Sequence, residues 1–185
     1  MRLKLSESQK PDAALIQAAQ NGDRAAQTKL LLGLQDAWFR MSMSLLHDPE
    51  LARDAAQETA FRFLTKLPQY RGESSLSTWS LGIAINVARE MRRKRRPTAN
   101  LDDVDPPSTS DDITSLPAIS AEEKGAIKAA LADLSHRQRE VILLRFFEEK
   151  STEETAAVMD CAPGTVKATL HQALRILKKK IQPLR

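Results

Sequence analysis

Two runs of cations dominate the chemistry open to this chain. From Arg89 to Arg96 the sequence REMRRKRR sets six arginines or lysines against one glutamate, and from Arg175 to Arg185 five basic residues stand without an acid. Cations at that density suit a polyanion, of which a nucleic-acid backbone is the ordinary example. Gly82, Asn86, Arg89 and Arg93 step by four, three and four, so an amide able to read a base shares a helix face with cations able to hold phosphates. The bland alternative is a solvated helix end, where each cation gains about a few tenths of a kcal/mol from the C-terminal dipole; six are more than that role requires. One helix earlier, Asp54, Gln57 and Glu58 share a face and form a small acidic and amide patch. Glu58 also stands four residues before Arg62, the spacing of a common helix-surface ion pair, and spacing alone favours that simpler role.

Nothing comparable supports covalent or metal chemistry. The single cysteine, Cys161, can form no internal disulfide, and His47, His136 and His171 are too scattered to suggest a ligand cluster. There is no glycine-rich phosphate loop and no nucleophile with a base at a useful spacing, so no enzyme, cofactor, metal or small-molecule substrate is expected. Cys161 reads as a small hydrophobe in a turn, and His136 as a first-turn residue beside a helix cap. The start, MRLKLSESQKPDAAL, lacks an apolar signal core, and no segment approaches the roughly 20 apolar residues of a membrane span. A cytoplasmic address without membrane insertion is the expectation. At 185 residues, with 42% hydrophobic and 28% charged residues, the chain suits a soluble globular protein of one domain or two small ones. Its net charge of +4 says little compared with where the charges sit.

The elements that must position these residues are helical. Gly and Pro are sparse outside one segment, Ala and Leu are abundant, and apolar residues recur at three and four. The exception, residues 97–120, carries five aspartates with Pro, Ser and Thr and no sustained apolar period, so it reads as a flexible acidic linker. The expected organisation is all-α: a disordered lead over 1–11, a helical domain over 12–96, the linker, and a second helical domain over 121–185. Helices are predicted near Asp12 to Gln20, Asp23 to His47, Glu50 to Leu67 and Ser77 to Arg95, with YRGESSL as the substantial loop. Trp79, Ile83, Val87 and Met91 make the core stripe of the last of these. In the second domain, Ser120 with Glu123, Ser135 with Gln138 and Ser151 with Glu154 form capping boxes that mark helix starts.

The segment STEETAAVMD, the turn CAP and then GTVKATLHQAL, opened by Pro163, has the layout of a helix-turn-helix. A helical wheel places Val166, Leu170, Ala173, Leu174, Leu177 and Ile181 inward, leaving Lys167, Ala168, His171, Gln172, Arg175 and Lys179 outward. Such a face offers donors to phosphates and base edges. A solvated face on a short bundle is the competing reading.

Three stretches, DPELARDAAQETAFRFL, YRGESSLSTWSLGIAINVAREMRRKRR and LSHRQREVILLRFFEEKSTEETAAVMDCAPGTVKATLHQAL, resemble in this order the two conserved regions of extracytoplasmic-function sigma factors, the group-four members of the sigma-70 family of bacterial RNA polymerase. The resemblance spans about Asp12 to Ile181. It implies an alternative sigma factor that binds core polymerase, through the clamp helices of the largest subunits and the flap, and that answers a stress or envelope signal. Asp54, Gln57 and Glu58 would hold the clamp helices. Tyr70, Arg71, Ser74, Ser75 and Asn86 would capture a flipped base of the -10 element, while Arg89, Arg92 and Arg93 follow the strand; capturing an unstacked base also stabilises the melted promoter. Thr165, Lys167, Ala168, His171, Gln172 and Arg175 would meet the -35 major groove. An anti-sigma protein is the implied inhibitor.

The sequence departs from the family pattern at Ala168, Thr169, Gln172 and Leu174, where relatives commonly carry a Ser-Arg pair and further arginines, and at Ala162, where a serine often caps the helix. Fewer cations imply a -35 contact less sensitive to salt, by about 0.9 in slope per lost phosphate neutralisation. The -10 element is then expected to carry more of the promoter choice. A stand-alone helix-turn-helix regulator, binding an operator without polymerase, is the rival reading.

Overall fold

Aspartates start the first three helices. Asp12 accepts a hydrogen bond from the Ala14 N–H, Asp23 from those of Ala25 and Ala26, and Asp48 from those of Glu50 and Leu51, each satisfying amides that a helix start leaves without partners. In the computed structural model, which describes residues 12–95 and 133–181, they open α1 (Ala13–Gln20), α2 (Arg24–Leu46) and α3 (Pro49–Lys66). A short 3-10 turn at Leu67–Gln69 leads into the loop and then α4 (Leu76–Arg95). There the Ser75 hydroxyl accepts from the Thr78 N–H at 3.1 Å, and four cations, Arg92 to Arg95, fill the last turn. The expected lead, linker and Ser120–Glu123 cap lie outside the described residues, as does Arg96.

Both remaining capping boxes form. Ser135 and Gln138 open α5 (His136–Ile142), and Ser151 and Glu154 open α6 (Thr152–Met159), each pair exchanging two hydrogen bonds across the first turn. Between them a wide π-helical turn, Leu143–Phe147, leaves Phe146 and Phe147 exposed. After α6 the chain turns through Asp160, whose left-handed backbone ends the helix, and α7 (Pro163–Ile181) follows. Among the described residues there is no strand, and no helix is long and apolar enough to cross a membrane.

The N-terminal core is built around Trp38 on α2. Its ring stacks at a tilt on Phe63 of α3, 5.3 Å between centroids, and its indole N–H donates to the Ser80 hydroxyl of α4 at 3.0 Å. Leu81, Ile85 and Val87 close the same core from α4. A buried Trp whose one polar atom is satisfied gives a small bundle a large apolar area at no polar cost. Trp79 belongs to this core as the wheel predicts, but at its edge: it is half-buried between Phe63 and Tyr70, at 5.6 and 5.1 Å.

The second module differs from expectation in two ways. Leu174, placed inward on the wheel, is 41% exposed, whereas Ala173 is fully buried and Ile176 and Leu177 pack beside it. Leu174 falls about 80° from Val166 on one side of the helix and Ile176 about 80° on the other, and the packing covers the Ile176 side. The modules also share most of a core, with only a small cluster of Leu134, Ile142 and Ala173 kept apart in the second. Val141, Leu144, Val158, Met159 and Val166 join one continuous apolar cluster with Trp38, Phe63 and the buried face of α4.

Candidate nucleic-acid interface

The acidic patch sits on α3. Asp54 and Gln57 are exposed, and Glu58 accepts from the Arg62 Nε at 2.7 Å, the i to i+4 pair that its spacing suggests. Arg62 also grips Glu90 of α4 through both terminal nitrogens, each at 2.8 Å. The Glu90 and Glu58 hydrogen bonds raise the Arg62 pKa, and the same fork holds the Glu90 carboxyl below its ordinary range. Glu58 is therefore a positioned carboxylate, tied through Arg62 to the neighbouring helix. Beside it Phe61 is 68% exposed. Sequence reading passes over this residue; the available signal is an aromatic side chain three positions after Glu58 and seven after Asp54, on a face otherwise polar.

The loop between α3 and α4 is held from three directions. Gln20, at the end of α1, donates from its side-chain amide to the Leu67 and Tyr70 carbonyl oxygens at 3.0 and 2.9 Å. Tyr70 donates its hydroxyl to the Ser74 carbonyl at 2.6 Å and stacks on Trp79, and burial pushes its phenol pKa up. Gly72, at φ 76, makes the left-handed step that lets the loop fold back. Ser75 closes it through Thr78, their hydroxyls 2.7 Å apart. Arg71 is exposed and Ser74 half-buried. The loop thus offers an ordered edge with hydroxyls and a cation, and Gln20 is a holding residue that spacing alone does not reveal.

On α4, Asn86 and Arg93 are exposed and Arg92 is half-buried. Arg89 is engaged. Its Nε and one terminal nitrogen donate to the two Glu140 carboxylate oxygens at 2.9 and 2.6 Å, and another terminal nitrogen reaches the Asn86 side-chain oxygen at 3.4 Å. Burial opposes the Arg89 charge, but the Glu140 carboxylate outweighs it and raises the pKa. Glu140 belongs to α5 and is 2% exposed. Nearby, Thr78 donates to Glu154 of α6 at 2.9 Å, and Lys150 donates to the Ser77 hydroxyl at 3.3 Å. The stripe that sequence spacing presents to a nucleic acid faces the second module over part of its length.

The α7 face is open. Thr165, Lys167, Ala168, His171, Gln172 and Arg175 are all exposed, opposite buried Val166 and Ala173. Cys161 is half-buried and packs against the apolar cluster, as a small hydrophobe would. Among the described residues no group of His, Cys, Asp and Glu could hold a metal.

Residues 34–98 match the family described as Sigma-70 region 2, and residues 124–177 match Sigma-70, region 4. The chain is 29% identical to the RNA polymerase sigma-H factor of Pseudomonas aeruginosa over 187 residues, covering 96% of this chain and 97% of that protein. It is 33% identical to the RNA polymerase sigma-E factor of Streptomyces coelicolor over 151 residues, covering 80% and 81%. A solved relative is the sigma factor RpoE of Bartonella quintana, in complex with the anti-sigma factor NepR. It superposes with a TM-score of 0.66 at 25% identity, covering 85% of this chain and 98% of that one. An operator-binding regulator needs only the second of these regions; a chain that carries both, in this order and over nearly its whole length, belongs to the extracytoplasmic-function sigma factors of the sigma-70 family and is an alternative sigma factor directing RNA polymerase.

Proposed function

We propose that residues 12–96 form the domain that engages core polymerase and the -10 element, that 121–185 form the -35 reader, and that 97–120 tether them. Asp54, Gln57 and Glu58, with Phe61 beside them, offer the clamp helices a polar rim around an apolar anchor, the usual composition of a protein interface. Tyr70, Arg71, Ser74, Ser75 and Asn86 receive the unstacked base, and Arg89, Arg92 and Arg93 follow the strand. Thr165, Lys167, Ala168, His171, Gln172 and Arg175 meet the -35 major groove, with polymerase contact at the flap supplied by the same domain. The factor works in the cytoplasm, acts by binding and not by catalysis, and is held inactive by an anti-sigma protein until a stress or envelope signal releases it.

The observation that carries this reading is the pairing, on a single chain, of one ordered loop leading into the helix that carries exposed Asn86 with one exposed α7 face. The test is transcription from a pool of genomic fragments by purified bacterial core polymerase, with and without the chain, followed by mapping of RNA starts. Discrete chain-dependent starts sharing spaced -35 and -10 elements are expected. Absence of starts while the chain alone shifts duplex DNA would return the operator-binding reading. At a promoter so found, base changes in the -10 element should reduce transcription more than those in the -35 element, because Ala168, Thr169, Gln172 and Leu174 supply no cation to the -35 contact. Equal or greater loss from -35 changes would contradict that order.

A further inference from the structure

We propose that the second module is itself a mask for the strand-facing side of α4, and that the Arg89–Glu140 pair is the latch that holds this closed form without any inhibitor protein. The proposal rests on reading α4 as the helix that meets the -10 strand.

Three observations carry it. First, Arg89 lies on the stripe with Asn86 and Arg93, and its fork is occupied by a carboxylate from the other module at 2.6 and 2.9 Å. A carboxylate and a phosphate ask for the same planar pair of donors, so Glu140 and a DNA phosphate compete for this guanidinium. Second, Glu140 is 2% exposed, and a carboxylate buried so far is tolerated only with a charged partner, which Arg89 provides from across the interface. Docking therefore demands the pair. Opening returns Glu140 to water and releases Arg89 together. Third, the closure is built like an interface and not like a chance touch: Val158 and Val141 extend the apolar cluster of α4, and Thr78–Glu154, Ser77–Lys150 and Arg40–Glu148 surround it with polar contacts. Asn86, one turn from Arg89 and in contact with it at 3.4 Å, remains exposed beside the seam, so the latch withholds the cation and not the amide.

A strand-binding site available only in the open fraction shows an apparent affinity reduced by that fraction, so a chain about nine-tenths closed binds about tenfold more weakly than an open one. The experiment compares the full chain with Glu140→Gln by small-angle scattering and by fluorescence anisotropy with a fluorescein-labelled single-stranded oligothymidylate. Glu153→Gln, which removes the same charge from an exposed site, controls for net charge. Expected is a larger radius of gyration for Glu140→Gln and about tenfold tighter oligonucleotide binding, with Glu153→Gln near the parent on both. An unchanged radius in a variant with parental helix content overturns the latch. A larger radius with unchanged oligonucleotide affinity overturns the mask. Should Glu140→Gln lose helix content, the double variant Arg40→Ala with Lys150→Ala, which removes no residue of the apolar clusters, is expected to expand the chain and tighten binding by a smaller factor; parental values from it would equally overturn the proposal. Failure of the sigma reading itself would appear elsewhere, as absent chain-dependent transcription starts.

Discussion

The two candidate DNA-facing surfaces of this chain are made differently. The loop and α4 surface is assembled from α1, the end of α3, the loop and α4, and its cation Arg89 is tied to α5. The α7 surface is one face of one helix, and its outward residues are exposed. The first needs several elements placed against one another, as capture of an unstacked base requires. The second needs only a helix with a buried back, which suffices to lie in a groove. Stability and function should therefore be coupled at the first surface and separable at the second.

The largest test of that coupling is Trp38→Ala. It removes a fully buried ring and the indole donor to Ser80, and the expected loss is about 3–5 kcal/mol in thermal or denaturant unfolding, with the loop between α3 and α4 loosening at the same time. A loss under about 1 kcal/mol would mean that the core does not hold the loop.

Gln20→Ala comes next. Two hydrogen bonds to the loop backbone disappear and two carbonyls lose a partner, for about 1–2 kcal/mol; faster amide exchange at Tyr70 to Ser74 should mark a loosened loop. Parental exchange there would show that the Tyr70 stacking alone orders it.

A smaller effect is expected from acid. The Ser151 N–H holds the Glu154 carboxyl below its ordinary range, with burial opposing and the Thr78 hydroxyl adding to it. A group whose folded pKa is depressed contributes stability that is present above the unfolded value and lost as pH falls through the folded one. The stability of the parent should therefore fall between pH values just above the ordinary glutamate pKa and those below it, and Glu154→Gln should flatten part of that fall in a pH series of unfolding curves. An equally steep acid limb in the variant would assign it to other carboxylates such as Asp48 and Glu90, whose pKa values are also lowered.

The smallest stability effect belongs to α7. Lys167→Ala is expected to move unfolding by less than about 0.5 kcal/mol while lowering the salt slope of -35 duplex binding by the polymerase complex by about 0.9. A large change in stability would show that this face is part of the fold.

Much of this is legible in the residues. Asp12, Asp23, Ser135 and Ser151 mark helix starts because a cap is a local interaction, settled within three residues, whereas α3 opens one residue before the expected Glu50, on Asp48. The α7 face is legible for the same kind of reason: helical periodicity alone separates Val166 and Ala173 from Lys167 and Gln172. Leu174 is misplaced by the wheel because periodicity says which way a side chain points and not which side of the helix the opposing layer covers. Phe61 goes unnoticed because its only trace is a single aromatic on the face of Asp54 and Glu58, which an apolar period does not pick out.

The amino-acid order by itself therefore determined the helices, the two-module organisation and the family. Those follow from short-range hydrogen bonding, from the period of the helix and from the succession of two recognisable regions. Only the tertiary structure decided what Gln20, Arg89 and Glu140 do, and that Arg62 grips Glu90 besides Glu58. Gln20 and Tyr70 are 50 positions apart, and Arg89 and Glu140 are 51. No local rule links residues so separated, and the partner of a charge is chosen by which surfaces pack together and exclude water around it.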